Sequence, residues 1–169
     1  TLKYKVGYPK KYNTYKGLKS YDHPLNNVLA YNKYCFIKYV LPDINKKINK
    51  NRWQMDCYRV NAYYEPVYNE IVLPAGILQP PYYDINADNA LNYGAIGTII
   101  GHELTHGFDD TGKQFNEHGI MKNWWIKSNS QRYNRKIKLL IKQFNNYKIY
   151  NQRINGKLTI GENIADLEG

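Results

Sequence analysis

Two histidines and a glutamate stand at a spacing that suits metal chemistry, in His102-Glu103-Leu104-Thr105-His106. Residues four apart lie on one face of a helix, so His102 and His106 can reach a single ion. Neutral imidazole is a good zinc ligand, and Glu103 can hold a zinc-bound water instead of the metal. The pattern predicts the centre of a zinc hydrolase. The alternative is a helix whose two histidines serve only the structure.

Two carboxylates further along the chain can complete such a centre. A catalytic zinc needs a third protein ligand and keeps its fourth position for water. Glu162 and Asp166 are four apart in a largely apolar stretch, so one can bind metal while the other accepts a histidine ring N–H. The alternative is an exposed acidic helix face. Asp109, three residues after His106, is a second candidate acceptor, and Asp110 is expected in solvent or as a loop cap.

The histidine pair requires a long helix to carry it. Asp88 or Asn89 can cap a helix that runs to His106, with Gly107 as its C-terminal stop. Glycine inside a helix costs about 1 kcal/mol relative to alanine. Close packing against neighbouring backbone is therefore expected at three positions: Gly94, Gly97 and Gly101. A last helix is predicted to start near Thr159 and to carry the two carboxylates.

Two further helices follow from apolar spacing. One is predicted from about Leu25 to Val40, after Pro24. The other is predicted from Ser128 to Tyr150. Its inner stripe consists of four large apolar residues: Ile137, Leu140, Ile141 and Phe144.

A small sheet is also indicated. Branched and aromatic residues predict strands over 58–64 and 70–73, joined by a turn near Asn69. Gly76 and the pair Pro80-Pro81 predict a coil excursion, and the polar run over 43–52 is a surface helix or a loop. The fold class is therefore mainly α with a small β-sheet.

Composition bounds the class of protein. The 169 residues are 43% hydrophobic and 22% charged, which excludes wholesale disorder and fibrous repeats. No run approaches 18 apolar residues, so no membrane-spanning helix is expected in this segment. Cys35 and Cys57 have neither a disulfide pattern nor metal-type spacing, and no N-x-[ST] sequon occurs. These absences favour a compartment other than the secretory lumen.

The chain is basic, with a formal net charge of +10. Such a balance favours polyanions. However, Lys, Asn, Ile and Tyr share AT-rich codons, so genome composition explains much of the charge. The sequence has no RNP-like aromatic motif, zinc-finger spacing or Arg-lined helix, so no nucleic-acid partner is predicted.

Several blocks resemble those of one enzyme family, and they occur in its order. The blocks are His102–Asp110 (HELTHGFDD), Gly161–Asp166 (GENIAD), Val60–Tyr64 (VNAYY), Pro74–Pro81 (PAGILQPP) and Asn123–Trp125 (NWW). They are similar to signature blocks of the neprilysin and endothelin-converting-enzyme family of zinc metallopeptidases. The resemblance runs from about Trp53 to Gly169. It implies a thermolysin-like zincin catalytic domain, present in part over residues 1–169.

The resemblance also implies a role for each site residue. The implied ligands of one Zn²⁺ per chain are His102, His106 and Glu162. Glu103 would be the general base, and Asp166 would act in catalysis by orienting the first histidine. Asp109 would support the second histidine. Asn61 and Ala62 would hydrogen-bond the substrate backbone along an edge strand, a mode that reads extended peptides.

The implied function is that of a zinc-dependent metalloendopeptidase that cleaves oligopeptides with zinc-activated water and favours an apolar residue after the scissile bond. Family members are usually membrane-anchored ectodomains. They also carry, beyond the third ligand, a histidine for the oxyanion and an arginine for the substrate. The sequence begins at Thr1 and ends at Gly169, so we expect a fragment without the N-terminal lobe and C-terminal end. The alternative is a truncated zinc-binding fragment without catalysis, acting as a binding or structural module.

Overall fold

The computed structural model describes residues 1–12, 14–47 and 49–169, and the chain forms two compact units. The larger unit comprises Thr1–Tyr8 and Met55–Gly169, and the smaller unit comprises Pro9–Gln54. Within the described residues, no helix is both long enough and apolar enough to cross a bilayer.

The smaller unit is built on one helix. α1 (Pro24–Cys35) has proline in its first turn, where no N–H partner is needed, and the His23 ring accepts a backbone N–H of that turn. A π-helical turn, Phe36–Val40, and a 3₁₀ turn, Leu41–Asp43, continue it. The helix predicted over 25–40 is confirmed. The polar run that follows is a loop of turns in its described residues.

A three-stranded sheet lies in the larger unit, with β1 (Lys3–Gly7), β2 (Tyr63–Glu65) and β3 (Glu70–Pro74) in the order β1-β3-β2. β3 pairs parallel with β1 and antiparallel with β2. Every residue of β3 is buried, as its branched side chains favour. Two residues of β3 belong to the core cluster, which consists of Ala62, Ile71, Leu73, Ile77 and Ile96.

The strand predicted over 58–64 is largely wrong. Its ladder begins only at Tyr63. The preceding residues instead pack on the turn at Gly76, whose N–H donates to the Cys57 carbonyl at 2.9 Å. A Cβ on Gly76 would overlap the Arg59 carbonyl, so this approach requires glycine. The turn at Asn69, with φ of 49°, is confirmed.

The long helix towards the histidines is confirmed, although it is not uniform. The side chain of Asp88 caps α2 (Asn89–Asn92), and a π-helical turn, Tyr93–Gly97, leads into α3 (Thr98–Thr105). A 3₁₀ turn, His106–Phe108, then ends the helix one residue beyond the expected stop.

The close packing expected at the three helical glycines occurs at one of them. A Cβ on Gly101 would lie 3.1 Å from the Cα of Gly169, at the end of the last helix. Gly94 has nothing within 4 Å of that position, and Gly97 meets only atoms of its own helix at 3.6 Å or more.

The C-terminal part contains two helices separated by a hairpin, and the second of these helices packs on α3. α4 (Lys127–Asn145) has the predicted apolar stripe half-buried, but it ends five residues early. A hairpin of β4 (Lys148–Ile149) and β5 (Gln152–Arg153) follows, with Tyr150 at φ of 53° in its turn. α5 (Ile160–Glu168) begins after Thr159, as predicted.

Candidate metal centre

His102 and His106 lie one turn apart at the C-terminal end of the long helix. Their rings meet edge to face at 88°, and their Nε2 atoms are 3.0 Å apart. Both side chains are largely buried, at 21% and 19% exposure. The i, i+4 spacing therefore brings both rings to one point.

α5 brings Glu162 to the same point. Its Oε2 lies 3.3 Å from the Nε2 of His102 and 3.7 Å from the Nε2 of His106. Gly161 allows this approach, because a Cβ there would lie 3.0 Å from the carboxylate of Asp110 and 3.3 Å from that of Asp109. Asp110 is thus half-buried against α5 instead of fully in solvent.

The outer ring nitrogens of both histidines face carboxylates. The Nδ1 of His102 lies 2.9 Å from Asp166, and the Nδ1 of His106 lies 2.8 Å from Asp109. A carboxylate only accepts hydrogen bonds, so in the neutral form of each ring Nδ1 carries the proton and Nε2 presents a lone pair. With both rings neutral, three acceptor atoms, one of them on Glu162, therefore converge on one point.

Asp109 is held more tightly than Asp166. One Asp109 oxygen accepts the backbone N–H groups of Thr111 at 2.7 Å and Gly112 at 2.6 Å, while the other faces His106. Burial opposes ionisation of Asp109, but these hydrogen bonds outweigh it and lower the pKa of the carboxyl below its ordinary value. The same contact raises the pKa of His106 despite its partial burial. The side chain of Asp166, by contrast, is 74% exposed.

The donor set fits zinc. Two imidazole nitrogens and one carboxylate oxygen are characteristic ligands of a catalytic zinc. In a tetrahedron with bonds of 2.0–2.1 Å, ligand atoms lie about 3.3 Å apart, and the three distances here are 3.0, 3.3 and 3.7 Å. Lone pairs this close repel one another unless a cation lies between them. Among the described residues, only His102, His106 and Glu162 form such a group.

Glu103 lies beside this group without joining it. It is buried at 6% exposure, and a backbone hydrogen bond from Tyr64 reaches its carboxylate. Burial raises the pKa of Glu103, and the two neighbouring histidines offset part of that rise. A carboxyl in such surroundings can take up a proton more readily than an exposed one.

A cleft of about 510 Å³ opens over these residues. Its lining includes both histidines, Glu103, Glu162, Asn61 and Ala62. The last two precede edge strand β2, and the side-chain oxygen of Asn61 accepts the Ala62 N–H at 3.0 Å. Of the residues that the sequence singled out for the site, all but Asp166 line this cleft, and Asp166 contacts the ring of His102.

Some contacts at the centre were not predicted. These are the Tyr64 N–H on Glu103, the two backbone donors on Asp109, and the Tyr133 hydroxyl, which donates to the Phe108 carbonyl at 2.7 Å. The Asp-Asp-Thr-Gly run was an available signal for the donors, because aspartate accepts backbone N–H groups two and three residues on. The two contacts made by tyrosines join segments that are distant in sequence, and no local pattern reveals them.

Comparison with protein families matches residues 61–169 to peptidase family M13. Among curated proteins, the chain is 44% identical to the endothelin-converting enzyme homolog of Locusta migratoria over 88% of its own length and 20% of that protein. It is 41% identical to human endothelin-converting enzyme-like 1 over 97% of its own length and 22% of that protein. The chain thus spans about a fifth of the length of these relatives.

Solved structures with a similar fold cover almost the whole chain. PepO from Lactobacillus rhamnosis aligns with a TM-score of 0.88 and 34% identity, over 99% of this chain and 27% of that one. The Mycobacterium tuberculosis zinc metalloprotease ZMP1, in complex with an inhibitor, aligns with a TM-score of 0.85 and 36% identity, over 99% and 26%. The mainly helical fold with two histidines on one helix and Glu162 on a later one matches these structures.

Proposed function

The chain belongs to peptidase family M13, and from that premise we propose that it carries the catalytic core of a zinc metalloendopeptidase that cleaves oligopeptides. Residues 1–169 would form part of that catalytic domain, with one zinc per chain held by His102, His106 and Glu162. The preference for an apolar residue after the scissile bond is part of the proposal and rests on the family resemblance alone.

The convergence of three metal-binding atoms is the observation that carries this proposal. A structural zinc site is closed by four protein ligands, whereas a catalytic site has three and leaves one position open. Three side chains converge among the described residues, at a cleft that is open to solvent. A set of three protein ligands, instead of four, favours catalysis over the alternative of a purely structural or binding module.

The surrounding residues suit peptide hydrolysis. Bound zinc would polarise the scissile carbonyl and lower the pKa of a water molecule in the cleft. Glu103 would take a proton from that water and pass it to the leaving amine, a role supported by its burial and its raised pKa. Asp166 and Asp109 would keep the two imidazoles in the tautomer that presents Nε2.

The substrate would lie along the edge strand. Among the described residues, β2 lies at the edge of its sheet, and Asn61 and Ala62 precede it. An extended peptide can be added at such an edge through main-chain hydrogen bonds. Asn61 and Ala62 line the cleft beside Glu103, which supports their proposed role in holding the substrate backbone.

The test measures zinc content and cleavage of a quenched-fluorescent peptide on the same samples. We expect one zinc per chain, lost or weakened in Glu162→Gln, whose amide is a poor ligand. Glu103→Gln should retain zinc and lose about 10²–10⁴-fold in rate. Glu117→Gln is the matched control, because Glu117 is exposed and outside the cleft.

The outcomes separate the two candidate functions. Zinc binding with cleavage that depends on Glu103 supports the peptidase. Zinc binding without cleavage in any sample would favour the binding module. Absence of zinc from the parent chain would overturn the metal centre itself.

A further inference from the structure

The longest run of the chain without an acidic residue is strongly basic. Residues 118–161, here called the basic segment, contain ten of the 24 Lys and Arg residues and none of the 14 Asp and Glu residues. Outside it, the remaining 14 basic residues match the 14 acidic ones. A codon preference for lysine adds basic residues, but it does not explain why 44 successive residues contain no acidic one.

All ten cations of the basic segment are exposed. They are Lys122, Lys127, Arg132, Arg135, Lys136, Lys138, Lys142, Lys148, Arg153 and Lys157. None forms a salt bridge within the described parts of the chain. Their field is therefore not neutralised locally and is available to an external anion.

Apolar side chains are exposed among these cations. On the outer face of α4, Leu139 is 70% exposed, and Arg135, Lys136 and Lys142 are its neighbours three and four residues away. At the hairpin, Tyr150 is 97% exposed and Ile149 is 60% exposed. The position of the hairpin is fixed, because Arg153 donates to the Asn145 carbonyl at the end of α4 and Gly156 donates to its side chain.

We propose that the basic segment is a docking surface for an anionic lipid bilayer. Basic residues are drawn to the negative potential of such a surface, and exposed aromatic and aliphatic side chains enter the interface between headgroups and acyl chains. Aliphatic groups such as Leu139, Ile149 and Leu158 gain nothing from the phosphates of a nucleic acid, so they favour the lipid partner. The inference is independent of the peptidase function, because none of these residues lines the metal cleft.

Vesicle co-sedimentation of the full chain tests this proposal. We expect binding to phosphatidylcholine vesicles with about one third phosphatidylserine, no binding to pure phosphatidylcholine, and release at about 0.5 M salt. The triple substitution Arg135→Gln, Lys136→Gln, Lys142→Gln should lower the partition coefficient by about 100-fold. The matched control removes the same charge from the smaller unit, through Lys10→Gln, Lys11→Gln and Lys16→Gln. This control should change the partition coefficient by less than about threefold.

The apolar contribution distinguishes lipid from other polyanions. Ile149→Ser with Tyr150→Ser should weaken binding to anionic vesicles by about 10-fold and leave binding to duplex DNA unchanged. The proposal is overturned if the parent chain does not bind anionic vesicles, or if the control triple weakens binding as much as the α4 triple. It is also overturned if duplex DNA binds more tightly than the vesicles at the same salt. An unchanged far-ultraviolet circular dichroism spectrum in every variant verifies that the fold is retained.

Discussion

The Nε2 atoms of His102 and His106 lie 3.0 Å apart, while Asp166 and Asp109 face the opposite nitrogen of each ring. When both rings are neutral with the proton on Nδ1, neither Nε2 carries a proton, and the carboxylate of Glu162 adds a third acceptor. The two orienting carboxylates differ in how many donors they serve, and this difference leads to the first prediction.

Asp109→Asn should impair zinc binding more than Asp166→Asn. Both oxygens of Asp109 accept hydrogen bonds, so an amide must turn its NH₂ group either to the backbone donors or to His106. If the NH₂ group faced His106, it would donate to Nδ1. The ring proton would then move to Nε2, and the lone pair there would be lost. Asp166 is exposed, and an amide there can rotate its oxygen to His102. For Asp109→Asn we expect zinc affinity, measured by chelator competition, to fall by about 10–100-fold. Equal losses would contradict the tautomer argument.

Gly112→Ala should destabilise the chain and weaken zinc binding. A Cβ at this position would overlap the carbonyl of His106, and only backbone movement can relieve the overlap. We expect a decrease of about 1–3 kcal/mol in the free energy of unfolding, measured with urea. Gly94→Ala is the control, since nothing lies within 4 Å of its Cβ position. It should stabilise by up to about 1 kcal/mol, because alanine is the better helix former. Equal effects of the two substitutions would disprove the steric argument.

Lys5→Met should destabilise the sheet strongly. The Lys5 ammonium lies 2.6 Å from Glu70, whose side chain is 1% exposed, and this ion pair joins β1 to β3. Removing the cation leaves a buried charge, with an expected cost of about 3–5 kcal/mol in denaturant unfolding. The double variant Lys5→Met, Glu70→Leu should recover most of the loss, because no charge then remains buried. A double variant as unstable as the single one would show that the packing of Lys5 matters more than its charge.

Tyr133→Phe should cost less stability at high pH than at neutral pH. Burial raises the pKa of Tyr133 above its ordinary value of 10.0, with a further contribution from Asp109 and Asp110. The folded chain therefore keeps the phenolic proton where the unfolded chain has lost it. The resulting stability is fully present below about pH 10 and is lost as the pH rises further. We expect a cost of about 1 kcal/mol at pH 7 from the lost hydrogen bond.

The alkaline dependence is measured by urea unfolding of both proteins from neutral pH to roughly pH 12. The difference between the free energies of unfolding of the parent chain and of Tyr133→Phe should shrink as the pH rises above about 10. Tyr150→Phe is the control, since that side chain is almost fully exposed and its substitution should have the same small effect throughout. A constant difference for Tyr133→Phe would refute the role given to its burial.

The elements with a strong local signal were predictable. The i, i+4 spacing of the histidines, the Asp88 cap and the apolar stripe of α4 each lie within a few turns of one helix. The contacts of Asp109 and Asp166 with the histidines were also predictable, because Asp109 is three residues from His106 and Asp166 shares a helix face with Glu162.

The elements that depend on distant partners were not predictable. β1 exists because Lys3–Gly7 pairs in parallel with Glu70–Pro74, more than sixty residues away. The early end of α4 was missed because the β4–β5 hairpin turns at Tyr150 without a glycine or Asn-Gly signal. The packing expected at Gly94 is absent because helical periodicity does not identify the face that a neighbour covers.

The two halves of the metal centre differ in the length of chain that must close to form them. Asp109 reaches His106 across three residues, so this half can form as soon as the helix ends. Glu162 follows His106 by 56 residues, and that loop must close before Glu162 reaches the two histidines. Because α5 also carries Asp166, its docking delivers Glu162 and the partner of His102 in one step. A displacement of α5 would remove Glu162 and Asp166 together and leave the local contact between Asp109 and His106 in place.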